Sequence, residues 1–161
     1  MKKFTAILLV LILISTSVLL AGCVKLPGIN NVIQTSDGSL TITSKGITIQ
    51  GDDGSVTTIG GAELPAGWPS STLPVIAGAT LSSSSKTTND KGDVFSVIFT
   101  TKKTFAEVAK YYEDIAKGFT ESQNFNSADL ATFAGKKDGY EIYILVSGGD
   151  EITCSLTLTK Y

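Results

Sequence analysis

Ser83 stands three residues ahead of Lys86, a spacing at which some enzymes pair a serine nucleophile with a lysine base. Such a pair must share one side of the backbone. A helix brings residues three apart together, whereas a strand points them opposite ways. The run Thr80 to Thr88 is rich in Ser and Thr and reads as a strand, and no Ser-Asp-Asn or Lys-Thr-Gly element accompanies it. Acyl transfer is therefore not expected. Oxygen ligands for calcium stand at Asn89, Asp90 and Asp93, and at Asp52 and Asp53. Neither group has the spacing of a twelve-residue calcium loop, and Asp-Gly pairs favour turns for conformational reasons alone. Lys102-Lys103 and Lys136-Lys137 are basic pairs at loops, suited to solvent, lipid headgroups or anionic wall polymers. Tyr111, Tyr112, Tyr140 and Tyr143 offer rings for stacking on a sugar, although Tyr112 belongs to a helical stripe. The chain has no His, so proton transfer near neutral pH would fall to a shifted carboxylate or Lys. No pair of carboxylates stands apart from the turns. The expectation is no enzyme: no catalytic, cofactor-binding or metal-ligating residue is assigned.

The two cysteines have different settings. Cys154 lies in Ile152-Thr153-Cys154-Ser155-Leu156-Thr157-Leu158, on the apolar side of a period-two alternation, and reads as a buried, unreactive thiol. Cys23 closes an N-terminal segment of different character. Met1-Lys2-Lys3 precedes an apolar run from Phe4 to Leu20, and Leu20-Ala21-Gly22-Cys23 follows. Positive charge, an apolar stretch and small residues at a boundary are the parts of an export signal. Leu-Ala-Gly-Cys resembles the lipobox of prokaryotic lipoproteins at all four positions. The resemblance implies a signal peptide over 1–22, diacylglycerol on the Cys23 thiol, cleavage before it, and fatty acylation such as palmitate. The alternative is an uncleaved signal anchor, since about 18 apolar residues can cross a bilayer. Either way the rest of the chain is expected outside the cell membrane and tethered to it. Lipid on Cys23 would leave Cys154 without a disulfide partner in the chain.

The formal net charge is −2, and removing Lys2 and Lys3 makes the remainder more acidic. All the basic residues are lysines, so the forked donors favoured for phosphate are missing. Nucleic acid is not an expected partner. The expected partners are the membrane, through lipid on Cys23, and an envelope protein or cell-wall polymer.

Residues 23–36 read as a tether, with Pro27-Gly28 and Asn30-Asn31 and little periodicity. Over 37–61, Asp37-Gly38-Ser39-Leu40-Thr41-Ile42 recurs as Asp53-Gly54-Ser55-Val56-Thr57-Thr58, with Ile47-Thr48-Ile49 between. That pattern predicts a three-stranded meander, too poor in apolar residues for a core of its own. Residues 62–79 carry Pro65, Pro69 and Pro74 and form a connector that Trp68 is suited to pin down. Residues 80–161 predict an α+β domain of β-β-α-β-β-β order, an antiparallel sheet with one packed helix. Its strands are expected at Thr80 to Thr88, Val94 to Thr101, Ala131 to Lys136, Tyr140 to Val146 and Glu151 to Lys160. The helix opens at Thr104-Phe105-Ala106-Glu107 with a capping-box pattern, and Gly118 is positioned to end it. Phe105, Val108, Ala109, Tyr112, Ile115, Ala116 and Phe119 form its apolar stripe.

Two strands carry apolar residues on both faces. Val94 and Ile98 oppose Phe95, Val97 and Phe99, and Tyr143 and Leu145 oppose Ile142, Ile144 and Val146. One helix covers one face. The second is expected to lie under the Trp68 connector or the meander, or else to meet a partner. Over residues 64–161, Trp68-Pro69, Leu73-Pro74, Gly78-Ala79, the β-β pair, the capped helix and Gly118-Phe119 resemble small lipoproteins of Gram-positive bacteria and some archaea. The resemblance implies a fold and an envelope location; that group has no assigned activity, so no catalytic residue follows from it. A non-catalytic binding or interaction module is expected, with self-association through the second sheet face as the alternative and an enzyme of unknown class third.

Overall fold

A computed structural model describes residues 31–35, 37–43 and 46–161. The signal segment 1–22, Cys23 and most of the tether lie outside the described residues. Among the described residues ten strands form one antiparallel sheet with a single helix against it, an α+β arrangement dominated by the sheet. Along the chain come β1 (Asn31–Thr35), β2 (Gly38–Thr43), β3 (Gly46–Gly51), β4 (Val56–Gly60), β5 (Thr80–Asn89) and β6 (Gly92–Thr101). Helix α1 (Phe105–Ala116) follows, then β7 (Thr120–Asn126), β8 (Leu130–Lys137), β9 (Tyr140–Ser147) and β10 (Ile152–Lys160). In space the strands run β1-β2-β3-β4-β5-β6-β10-β9-β8-β7. The chain therefore crosses with α1 to the far edge and returns by three hairpins, so that β10 pairs with β6.

Two strands go beyond the sequence expectation. Four strands follow the helix rather than three: β7 fills the stretch between α1 and β8, pairing Asn124 with Phe133 and Phe125 with Thr132. Its residues Thr-Glu-Ser-Gln-Asn-Phe-Asn are exposed and have no apolar alternation, so pairing with β8 rather than burial makes the segment a strand. A register shift between Thr120 and Gln123, with Glu121 at φ 52°, bends this edge. At the other edge, β1 falls within the stretch expected to be tether. The meander is also not a separate layer: β4 pairs with β5, so β1–β4 extend the sheet sideways.

Helix α1 is set by the expected cap. The Glu107 amide donates to Thr104 Oγ1 at 3.3 Å and the Thr104 amide donates to Glu107 Oε2 at 2.8 Å, closing a capping box. The Thr104 hydroxyl, donating to Glu107 Oε2 at 2.7 Å, and then the Thr104 amide hold the Glu107 carboxyl below its ordinary range. Val108, Ala109, Tyr112 and Ala116 are buried against the sheet. On the sheet side the core consists of Phe95, Val97 and Phe99 of β6, Ile142, Ile144 and Val146 of β9, and Cys154, Leu156 and Leu158 of β10. Their registers, Leu156 with Val97 and with Ile144, place all of them on one face.

The connector packs on that same face. Leu73 is fully buried, Trp68 and Ile76 nearly so, and Trp68 meets Phe95 edge-on at 6.3 Å between ring centroids. The indole Nε1 donates to the Leu73 carbonyl at 2.9 Å, closing the connector on itself. The Tyr112 hydroxyl reaches the Pro74 carbonyl, joining helix to connector. The connector thus completes the helix-side layer, and the second face remains without a cover among the described residues.

The meander has tight backbone approaches of its own. Gly38 at φ 134° and Gly46 at φ 150° start β2 and β3, and a Cβ at either would overlap the carbonyl of Gln50 or Ile59 respectively. Gly54 also has a positive φ, of 79°, but faces open space. Gly46→Ala is therefore expected to remove amide-exchange protection from β2–β4 by at least tenfold while β6, β9 and β10 keep theirs. Gly54→Ala should cost only about 1 kcal/mol of local backbone strain. Equal protection in both variants would show that the Gly46 approach is not obligatory.

Candidate interaction surface

The structure separates the sequence candidates for chemistry. In β5, Ser83 pairs with Ile98 and Lys86 with Phe95, so the two side chains stand on opposite faces of the sheet. Ser84 and Lys86 do share the helix side. There Lys86 Nζ is ion-paired with Asp93 Oδ2 at 3.0 Å and lies 5.2 Å from the Phe95 ring centroid. An ammonium so paired has no lone pair with which to take a proton from serine.

The acidic turns are internally engaged. Asn89 Oδ1 accepts from the Lys91 amide at 2.9 Å, and Asp53 Oδ1 accepts from the Ser55 amide at 2.9 Å. The Thr88 hydroxyl, followed by Lys86, holds the Asp93 carboxyl below its usual range. Among the described residues no group of three or more His, Cys, Asp or Glu side chains is placed to hold a metal ion.

Lys136 is ion-paired with Glu121 at 2.6 Å, which raises the lysine above its ordinary range, and it also lies 5.8 Å from the Tyr161 ring centroid. It is not a free basic site. The tyrosines divide between faces. Tyr112 is buried edge-on against Tyr111 at 5.0 Å, Tyr140 packs near Phe95, and Tyr143 alone of the four stands on the open face, 47% exposed. They form no common platform.

The open face is the feature that the strand registers assemble. At its β1–β4 end, Ile33 sits beside Leu40, Leu40 beside Ile49, Ile42 beside Ile47, and Ile47 beside Ile59. Ile33, Ile47, Ile49 and Ile59 are each between 37% and 46% exposed. A Ser/Thr band follows across β4, β5, β6 and β10: Thr57, Ser85, Thr87, Ser96, Ser155 and Thr157. The Thr57 and Thr87 hydroxyls hydrogen-bond across it at 3.0 Å. Beyond the band, Tyr143, Leu145, Phe125 and Leu130 form a second apolar cluster. Of the residues in β1 to β6, only Lys86 and Asp93 carry charge, and both stand on the helix side. The open face of these six strands is therefore uncharged.

This face exists because the sheet inverts its amphipathicity along its width. In β6–β10 the strongly apolar positions face the helix. At β5 the helix side changes to Ser84 and Lys86, and in β3 and β4 it carries Thr48, Gln50 and Thr58. From there the isoleucines and Leu40 are on the opposite side, while Val32 and Val56 stay on the helix side. The alternation of β10 and the apolar positions of β2–β4 were legible in the sequence; the inversion required the pairing of β4 with β5.

Two concavities accompany the sheet. A groove of about 810 Å³ lies where the helix-side cover ends, lined by Thr58, Gly60, Gly61, Leu64, Ser84 and Lys86 among others. A smaller pocket of about 320 Å³ lies at the far corner by Glu121, Lys136, Glu141 and Tyr143. Each contains an ion-paired lysine and opens widely to solvent.

Cys23, the expected lipidation site, lies outside the described residues. Cys154 is fully buried among Phe99 and Val146 by register, and burial pushes its thiol up to about 12. A scan against protein-family models, curated proteins and solved structures finds no match to this chain.

Proposed function

We propose that this chain is a lipid-anchored module on the extracytoplasmic face of the cell membrane, with a binding role rather than a catalytic one. The observation that carries the interaction role is the open sheet face: it is apolar at both ends and uncharged across β1–β6. Exposed apolar patches of this kind mark interaction sites. The anchoring rests on Leu20-Ala21-Gly22-Cys23 behind its apolar run. Each buried methylene of an attached chain contributes about 0.8 kcal/mol, so two or three acyl chains hold durably. The Tyr143 cluster, at the end of the sheet farthest from β1, is the surface offered to an envelope protein or wall polymer.

Cys23→Ser is expected to abolish incorporation of a labelled fatty acid and to leave the mass of the chain without acyl groups. Undiminished labelling in that variant would refute the anchor. Self-association through the open face is the second reading, favoured by the absence of charge across its β1–β6 part. Light scattering after size exclusion separates the two: the leading reading expects a monomer, and a stable dimer lost in Tyr143→Asp supports the second.

A further inference from the structure

We propose that the aliphatic face of β1–β4 lies on the lipid surface to which the chain is anchored. The inference rests on the lipid-anchor reading of Cys23 and adds a second, non-covalent contact. Four observations favour a bilayer as the occupant.

The patch is mainly aliphatic. Ile33, Leu40, Ile42, Ile47, Ile49 and Ile59 form a lattice two rows deep on one side, with Thr57 at its β4 end. Thr41, Thr48, Gln50 and Thr58 stand on the other, together with two valines, Val32 and Val56. A surface apolar on one side and hydroxyl- or amide-bearing on the other suits a boundary between lipid and water.

Area argues against a second copy. Four strands spaced about 4.8 Å apart, crossed by two side-chain rows, cover on the order of 300 Å². A stable protein interface needs about 800 Å² from each partner. An anchored segment faces a smaller requirement, because the anchor already holds it at the surface and the second contact is intramolecular in effect.

Reach also permits it. Asn31, the first residue of β1, is about eight positions beyond Cys23. Fully extended, that length spans at most about 29 Å. The edge of the sheet carrying Ile33 is thus the part of the described fold held nearest the lipid.

Finally, charge is absent where desolvation would penalise it. No strand residue on this face of β1–β6 is ionisable, so the strand side chains meet acyl chains without stripping water from a charge. The acidic residues Asp37, Asp52 and Asp53 lie in the turns at one end of the patch. The same face ends differently at β7–β9, where Glu121, Lys136 and Glu141 stand beside Tyr143. A right-handed twist of roughly 20° per strand turns the face through about 100° between β3 and β9. With β1–β4 on the membrane, the Tyr143 end looks away from it, which leaves it open to a partner.

The test uses the full chain, purified from its own envelope and placed in phosphatidylglycerol–phosphatidylcholine vesicles. Spin labels are attached at Ile49→Cys and, separately, at Thr48→Cys, adjacent positions on opposite faces. Cys154 is buried and does not compete for label, and a preparation without acyl mass is labelled on a Cys23→Ser background so that only position 48 or 49 reports. The expected result is a ratio of nickel-chelate to oxygen accessibility roughly fivefold lower at position 49 than at 48. Equal ratios in a chain whose mass shows acylated Cys23 overturn the docking and leave the anchor standing. Equal ratios in a chain without acyl mass overturn both. Shielding at 49 without acyl mass supports the docking and overturns the anchor. Shielding that follows protein density in the vesicles, with spin–spin broadening at 49, overturns the docking in favour of a second copy.

Discussion

Trp68→Ala is expected to destabilise the fold by about 3–5 kcal/mol, read as a lower urea midpoint at an unchanged slope. The residue sits in a Pro- and Gly-rich segment that looks from its sequence like a surface connector, yet it behaves as core. It is only 8% exposed, edge-on to Phe95, and its indole N–H is bonded to the Leu73 carbonyl at 2.9 Å. Truncation empties the space over Phe95 and also leaves the Leu73 carbonyl without its donor, a polar group that burial makes expensive to orphan. Trp68→Phe should separate the two contributions. It keeps most of the ring and loses the donor, for an expected cost of about 1–2 kcal/mol. Ile47→Ala on the open face, where the side chain is 37% exposed, should cost less than about 1 kcal/mol. A loss below about 1 kcal/mol for Trp68→Ala would place the connector outside the cooperative unit.

Folded protein at pH 8 should react with iodoacetamide at Cys154 about a thousandfold more slowly than the urea-unfolded chain. The thiolate is the reacting species. An ordinary thiol near 9 and a buried one near 12 differ by about that factor in thiolate content at pH 8. Complete burial blocks access as well, so reaction in the folded protein would proceed through opening of β10. The sign of the linked pH effect follows. The folded thiol holds its proton where the unfolded one has lost it, so stability is intact below pH 9 and falls as pH rises from 9 towards 12. Tyr112, raised for the same reason of burial, pulls in the same direction. Fast alkylation at pH 8 with unchanged spectra would mean that β10 is not sealed.

Much of the fold was readable from short-range pattern. The Thr104–Glu107 capping box, the apolar stripe of α1, the apolar runs of β6 and β9, the alternation in β10 and the Asp-Gly turns each depend on neighbours a few residues apart. β7 was not readable, because Thr120–Asn126 has no alternation and becomes a strand only where β8 offers a partner. β1 was hidden for a related reason: it is an edge strand joined to the sheet through β2 alone, in a run that reads as tether. Of the candidate chemistry, the exclusion of Ser83 with Lys86 followed from strand geometry alone. The ion pairing of Lys86 and Lys136 did not, since Asp93 and Glu121 reach them across strand pairs.

By itself, the sequence determined the helix and the strands other than β1 and β7, the absence of charged side chains from most strand positions between Asn31 and Thr101, and the lipobox-like ending at Cys23. Those are properties of composition and local spacing. Tertiary structure alone decided which side of each strand is covered. Period-two alternation sorts residues into two faces but carries no label saying which face the helix will meet. That label comes from where α1 and the Trp68 connector land, and from β4 pairing with β5 in a register that carries the aliphatic positions to the far side. The open face, and every function argued from it, depends on that long-range pairing.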